Sequence, residues 1–131
     1  MNEAFETTAP FPNALLWLMA EDDGNLLIPD VDGVGSLWTS ENAWGVAVQH
    51  DIDGPVTLTI GTEPPDNPAL ALLHDGALHS GRRHIEVQTV YLDNVATLRT
   101  RTEDPSISIW GDHPDQPELV HIQCQDIEEI L

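Results

Sequence analysis

Apolar and polar residues alternate in short runs along much of this chain. The clearest runs are residues 44–49, 56–61, 106–110 and 118–125, in which an apolar side chain occupies every second position. A period of two residues places consecutive side chains on opposite faces of a β-strand. The four runs therefore predict strands that bury one face.

Other segments predict strands from their length and their turn residues. Residues 13–20 form the most apolar run, and its length before a polar turn favours a strand over a helix. Residues 85–91 and 95–101 are rich in β-forming residues and flank a short polar turn, which predicts a hairpin. The Asp-Gly pairs at residues 53–54 and 75–76 predict two further hairpins.

The chain as a whole predicts an all-β fold. No segment of ten or more residues shows the 3.6-residue period of an amphipathic helix. The short runs, separated by Asp-Gly and proline turns, indicate a single-domain antiparallel β-sandwich or flattened barrel of about 8–10 short strands. Residues 1–12 are polar and proline-punctuated and predict a flexible N-terminal arm, with residues 13–131 as the single β-rich domain. Residues 62–68 contain three prolines and cannot form regular structure.

The charge balance restricts the possible partners. The chain contains no lysine and four arginines against 23 acidic residues, which gives a formal net charge of −19 on 131 residues. Such a surface repels nucleic-acid phosphates and anionic lipids, so binding to nucleic acid or to a membrane is not expected. It attracts cationic surfaces, through an association that weakens as salt rises. A basic protein is therefore the expected partner.

The same charge has a plainer interpretation. The acidic residues are spread evenly, with 12 in residues 1–66 and 11 in residues 67–131. An even coat of this kind is typical of a salt-adapted domain or an ordinary solvated surface as well as of a binding face. No basic segment precedes an apolar run and no run approaches the length of a membrane span, so a cytoplasmic protein is expected.

Cysteine and histidine set the possible covalent and metal chemistry. Cys124 is the single cysteine, which excludes an internal disulfide, and its place in an alternating run predicts a buried side chain. His74, His79 and His84 follow at five-residue intervals and are the candidate metal ligands, since converging imidazoles and a carboxylate bind zinc or nickel. Their spacing matches no closed metal motif, and the sequence predicts no cofactor.

The sequence contains no motif for a catalytic nucleophile or a glycine-rich phosphate loop, so it predicts a non-enzymatic protein. The leading hypothesis is a small acidic protein that binds a basic partner, as an immunity protein or an inhibitor of a cationic toxin or nuclease. The alternatives are a β-sandwich ligand-binding module for carbohydrate or a divalent metal, and a salt-adapted domain of another role. The oligomeric state stays open.

The residues expected to contact the partner combine acidic turns with one aromatic side chain. The aromatic residue is Trp110, which shares a strand face with two serines and lies opposite Ile107 and Ile109. It is therefore the tryptophan expected to be most exposed. The predicted partner-binding residues are Glu21, Asp22, Asp23, Asp51, Asp53 and Trp110.

Overall fold

The computed structural model describes residues 4–20, 28–31, 35–91 and 93–130, which form a sandwich of two β-sheets. In chain order the strands are β1 (Ala4–Ala9), β2 (Leu15–Ala20), β3 (Leu37–Thr39), β4 (Ala43–Ala47), β5 (Val56–Gly61), β6 (Ala71–Ala77), β7 (His84–Gln88), β8 (Asn94–Thr100), β9 (Ser106–Gly111), β10 (Leu119–Cys124) and β11 (Ile127–Ile130). Sheet A has the order β1-β5-β10-β9-β6, and sheet B has the order β11-β8-β7-β2-β4-β3.

The predicted all-β sandwich is confirmed. Neighbouring strands pair antiparallel except that β10 lies parallel to β5. The described residues form eleven strands, slightly more than the predicted 8–10; β1 lies in the segment predicted to be an arm, and β11 follows the last alternating run. Among these residues, no helix has the length and apolar character needed to cross a bilayer.

Strand β1 lies where the sequence predicts a flexible arm over residues 1–12. It pairs with β5 along its whole length, with Phe5 opposite Ile60 and Ala9 opposite Val56. Phe11, just beyond the strand, is fully buried in the core. For residues 4–12 the expected arm is thus replaced by an edge strand and a core anchor, and residues 1–3 lie outside the described part.

The core lies between the sheets and takes the apolar residue of each alternating pair. In β5, Val56, Leu58 and Ile60 are buried, while the threonines between them face outward. Trp44 of β4 is 2% exposed, and its ring meets the imidazole of His74 edge-on with 4.8 Å between centroids. Burial of each large apolar side chain contributes about 1.5–3 kcal/mol, so this layer holds the sheets together.

The chain crosses between the sheets at two opposite ends of the sandwich. At the first end, a 3-10 helix (Pro12–Ala14) leads from sheet A to sheet B, and residues 48–55 lead back to sheet A. The β7–β8 turn and the β9–β10 loop also lie at this first end. The crossings at the second end are residues 78–83, 101–105 and 125–126.

Two of the three predicted hairpins are wrong. The Asp-Gly pair at residues 53–54 lies in a crossing from β4 in sheet B to β5 in sheet A, and the pair at residues 75–76 lies inside β6. The hairpin between β7 and β8 is confirmed. Asp-Gly favours a local backbone bend but does not determine whether the next strand returns to the same sheet.

A second, smaller apolar cluster covers part of the outer face of sheet B. Trp17, Met19 and Ala43 are buried there, and Val31 packs against them. Gly45 lies under the Trp17 ring, since a Cβ at this position would be 2.9 Å from its Cζ3. Part of this outer face is therefore closed to solvent.

Cys124 is fully buried, as the sequence predicts, and burial raises the pKa of its thiol to about 11 against the opposing effect of a hydrogen bond with the Asp126 backbone. At about pH 8 the thiolate fraction is then roughly one in a thousand.

We expect Ellman's reagent to label the native Cys124 thiol far more slowly than the thiol in concentrated guanidinium chloride. Because only the folded-state pKa is raised, this thiol lowers the free energy of unfolding as pH rises from the free-thiol value through about 11. Rapid labelling of the native protein would contradict the buried placement.

Candidate functional site

Six acidic residues lie at the first end of the sandwich, on the turn before β5, the β7–β8 turn and the β9–β10 loop. Two of these segments touch directly, because the Gln49 N–H donates to the Pro117 carbonyl at 3.0 Å. We call this surface the acidic end. Its acidic residues are Asp51, Asp53, Asp93, Asp112, Asp115 and Glu118.

The turn before β5 presents an apolar side chain between two carboxylates. Ile52 is 85% exposed, and Asp51 and Asp53 flank it in a single 3-10 turn. The Asp53 N–H donates to the His50 carbonyl at 2.9 Å, and the Gly54 N–H donates to the Asp51 carbonyl at 3.2 Å. Gly54 has φ +127°, a conformation that favours glycine. The backbone therefore holds Ile52 outward in a defined geometry.

His50 contributes to the same turn in a way that depends on its protonation. In the neutral tautomer that carries its proton on Nε2, Nδ1 accepts the Ile52 N–H at 3.2 Å. The same nitrogen lies 2.6 Å from Asp51 Oδ1, so a protonated ring donates to that carboxylate instead.

The β9–β10 loop is held by side chains that accept backbone N–H groups. Asp112 Oδ1 accepts from Glu118 at 2.9 Å and from Leu119 at 3.1 Å. His113 Nδ1 accepts from Asp115 at 3.1 Å and from Gln116 at 3.0 Å. Asp112 and His113 thus have a structural role, whereas the Asp115 and Glu118 side chains are exposed.

Every arginine of the chain lies at or near the second end. Arg82 and Arg83 are in the crossing from β6 to β7, and Arg101 follows β8 directly. Arg99, in β8, donates from Nη1 to Glu129 Oε2 at 2.8 Å. The acidic end contains no arginine, whereas at the second end the arginines partly compensate acidic residues such as Glu103, Asp104 and Asp126.

Residues 62–70, which we call the strap, pass over the outer face of sheet A on the way from β5 to β6. His121 of β10 lies beneath the strap, 8% exposed, and its Nε2 donates to the Glu63 carbonyl at 2.8 Å. Since a carbonyl only accepts, Nε2 carries a proton, and in the neutral ring Nδ1 accepts from the Thr59 hydroxyl at 2.7 Å. The imidazole therefore fastens the strap to the sheet.

A cleft of about 410 Å³ lies between the strap and strands β1, β5 and β10. Glu6, Thr59 and His121 lie directly opposite one another on these three strands and form a polar row across its floor. Leu119 supplies apolar surface beside this row, whereas the Phe5 side chain packs against the core on the other face of the sheet. Sequence reasoning missed the cleft, because residues 62–68 were recognised only as irregular.

The predicted partner-binding residues fall in three places. Asp51 and Asp53 lie in the acidic end, where they remain predicted contacts. Trp110 lies on the outer face of sheet A, half-buried, and its Nε1 donates to Gln123 Oε1 at 3.0 Å. The predicted contacts Glu21, Asp22 and Asp23 lie outside the described residues.

The structure does not bring the three candidate metal ligands together. His74 lies in β6 of sheet A against Trp44, whereas His84 begins β7 in sheet B, opposite Arg99. His79 Nδ1 lies 2.8 Å from Asp104 Oδ1. Within the described ranges no group of three or more histidine, cysteine or acidic side chains is arranged to hold a metal ion. The crossing between the sheets separates these histidines, which their regular spacing does not reveal.

The exposed apolar residues of the acidic end were also missed by sequence reasoning. Ile52 belongs to a segment interpreted only as a turn, and Tyr91, 70% exposed, to the end of a predicted strand. The sequence does contain a signal for the exposure of Ile52: it lies between two aspartates in a four-residue turn, where small and polar residues are favoured.

The two roles of acidic side chains at this end can be separated by mutation. Asp112→Ala removes the acceptor of two backbone N–H groups, so we expect the free energy of unfolding to fall by about 1–2 kcal/mol in urea denaturation. Asp115→Ala removes the same charge but leaves both hydrogen bonds in place, and should change stability by less than about 0.5 kcal/mol. Equal losses in the two variants would show that the loop does not depend on Asp112.

Comparison with known proteins identifies a shared fold. No protein-family model and no curated protein matches the sequence. The structure is similar to that of ComJ from Bacillus subtilis, an inhibitor of the DNA-degrading activity of NucA, with a TM-score of 0.66 and 8% sequence identity over 95% of this chain and 97% of the ComJ chain. At this identity the likeness establishes the fold: the two proteins share one β-sandwich architecture over nearly their entire lengths.

Proposed function

We propose that this protein is a non-enzymatic inhibitor that binds a basic protein, specifically a cationic nuclease, through its acidic end. The observation that carries the proposal is the polarity of the surface. Among the described residues, the first end of the sandwich has six acidic residues and no arginine, whereas at the other end all four arginines of the chain lie at or near acidic residues such as Glu103 and Asp126. A cationic surface is therefore attracted to one defined part of the molecule.

The acidic end is suited to compete with nucleic acid. A nuclease binds the phosphate backbone with lysine- and arginine-rich surface, and carboxylates present the same sign of charge to it. The turn at residues 50–54 and the loop at residues 111–118 are already held by hydrogen bonds, so little ordering is required on binding. Complementary charge also accelerates association at low ionic strength.

Ile52 adds an apolar contact to this charged surface. Interfaces take much of their binding energy from a few large side chains that enter pockets on the partner, surrounded by polar contacts that exclude water. An isoleucine exposed at 85% between two aspartates fits that arrangement. Its burial would contribute about 1.5–3 kcal/mol and would slow dissociation.

The likeness to ComJ supports this class of function by analogy. ComJ inhibits the DNA-degrading activity of NucA and has the same fold. Sandwich folds carry many functions, so the fold alone does not select one. The surface charge makes the analogy specific, because it predicts a basic target.

The direct test is capture of the target from the native lysate. Lysate is passed over the immobilised protein at low salt and eluted with a salt gradient, and the fractions are assayed for DNA degradation. We expect a basic nuclease to elute and its activity to fall when the protein is added back. Failure to retain any DNA-degrading activity would contradict the proposal.

Two variants test the surface with the captured nuclease. The double change D51N/D53N should lower the association rate about tenfold at low salt, and the difference should shrink as salt is raised. Ile52→Ser should instead raise the dissociation rate about tenfold. The matched control is E103Q/E128Q, which removes the same charge near the second end and should leave both rates almost unchanged. Equal effects of the two double variants would show that total charge, and not the acidic end, governs binding.

A further inference from the structure

The cleft beneath the strap has the size of a ligand site and takes no part in the proposed contact at the acidic end. Its volume of about 410 Å³ falls within the range of pockets that hold small organic molecules, about 300–1,000 Å³. One wall is the outer face of β1, β5 and β10, and the other is the strap. The His121 hydrogen bonds to Glu63 and Thr59 join the two walls, so the space is part of the fold.

The polar lining of the cleft favours a cation. Glu6 on β1 and Asp66 on the strap are exposed carboxylates on opposite walls, and no arginine or lysine lines the space. Both ring nitrogens of His121 are engaged by the protein. When the imidazole is neutral, the Thr59 hydroxyl donates its hydrogen to Nδ1. The Thr59 oxygen can then only accept a hydrogen bond from a ligand.

The rest of the lining favours an aliphatic chain. Leu119 lies at the sheet, and Pro64, Pro65 and Leu70 lie on the strap. An ammonium or guanidinium group on a short methylene chain satisfies both parts, because its head donates hydrogen bonds to carboxylates while its stem packs on apolar surface.

We propose that the strap cleft binds an organic cation of this kind, with its charged head between Glu6 and Asp66. Two sources present the same chemistry: a free aliphatic amine, and an arginine or lysine side chain of a bound protein. The cleft itself does not depend on the proposed inhibition, since every residue that forms it belongs to this chain.

The test is calorimetric titration of the full chain with agmatine, which carries a guanidinium and an ammonium group on four methylenes. We expect saturable binding at one site, and no binding of the uncharged 1,4-butanediol at the same concentrations. Glu6→Gln and Asp66→Asn should each weaken agmatine binding about three- to fivefold, the size expected for partly exposed ion pairs. Asp75→Asn is the matched control, because it removes one charge from the same sheet outside the cleft lining. Absence of saturable binding, or equal weakening in all three variants, would overturn the proposal.

The two sources are then distinguished on the immobilised protein loaded with lysate. Release of the bound partner by agmatine shows that a partner side chain occupies the cleft, whereas agmatine binding with the partner retained identifies a free amine as the ligand. The Ile52→Ser variant should keep full agmatine affinity in the calorimeter. Failure of the cleft and failure of the acidic end are therefore seen in separate measurements.

Discussion

The alternation of buried and exposed side chains in paired strands is the constraint on which the rest of this structure depends. Most strands place one apolar face in the layer between the sheets, and a carboxylate in that layer would lose its hydration without compensation. None of the described acidic residues is buried, and the buried polar residues are uncharged amide and hydroxyl side chains and His121. The acidic residues are therefore confined to outer faces and connections, where water and a partner can reach them.

Carboxylates that are brought together at the surface repel one another, and local hydrogen bonds offset the resulting loss of stability. At the acidic end the turns are closed by backbone groups and by the Asp112, His50 and His113 side chains, which accept neighbouring N–H groups. These contacts act within a few residues and do not require counterions. Repulsion between exposed carboxylates is screened beyond about 10 Å at ordinary salt, so it is strongest within a turn and weaker between turns that lie farther apart. Short turns of defined shape are consequently able to present acidic side chains outward.

The sequence predicts the strands better than it predicts their arrangement. Alternation identifies β5, β9 and β10 because one buried face leaves a period of two in the sequence itself. It does not show that the Asp-Gly pair at residues 53–54 leads to the other sheet, since that depends on packing between distant strands. The same limit explains the separated histidines, because His74 and His84 are close in sequence but belong to different sheets. The strap cleft is harder still, as its floor combines β1, β5 and β10 from widely separated parts of the chain.

Even spacing of charge along a sequence and even spacing over a surface are different properties. The acidic residues are divided almost equally between the two halves of the chain, which is compatible with a uniform salt-adapted coat. The fold, however, collects the few arginines at or near one end, where they partly compensate acidic residues such as Glu103 and Asp126, and it leaves the described acidic residues of the other end without a nearby arginine. Ile52, exposed at 85% between two aspartates, adds to this end the kind of large side chain that interfaces bury in a partner's pocket. Acidic side chains without a nearby arginine, together with an exposed apolar side chain among them, are the physical basis on which we propose recognition rather than salt adaptation.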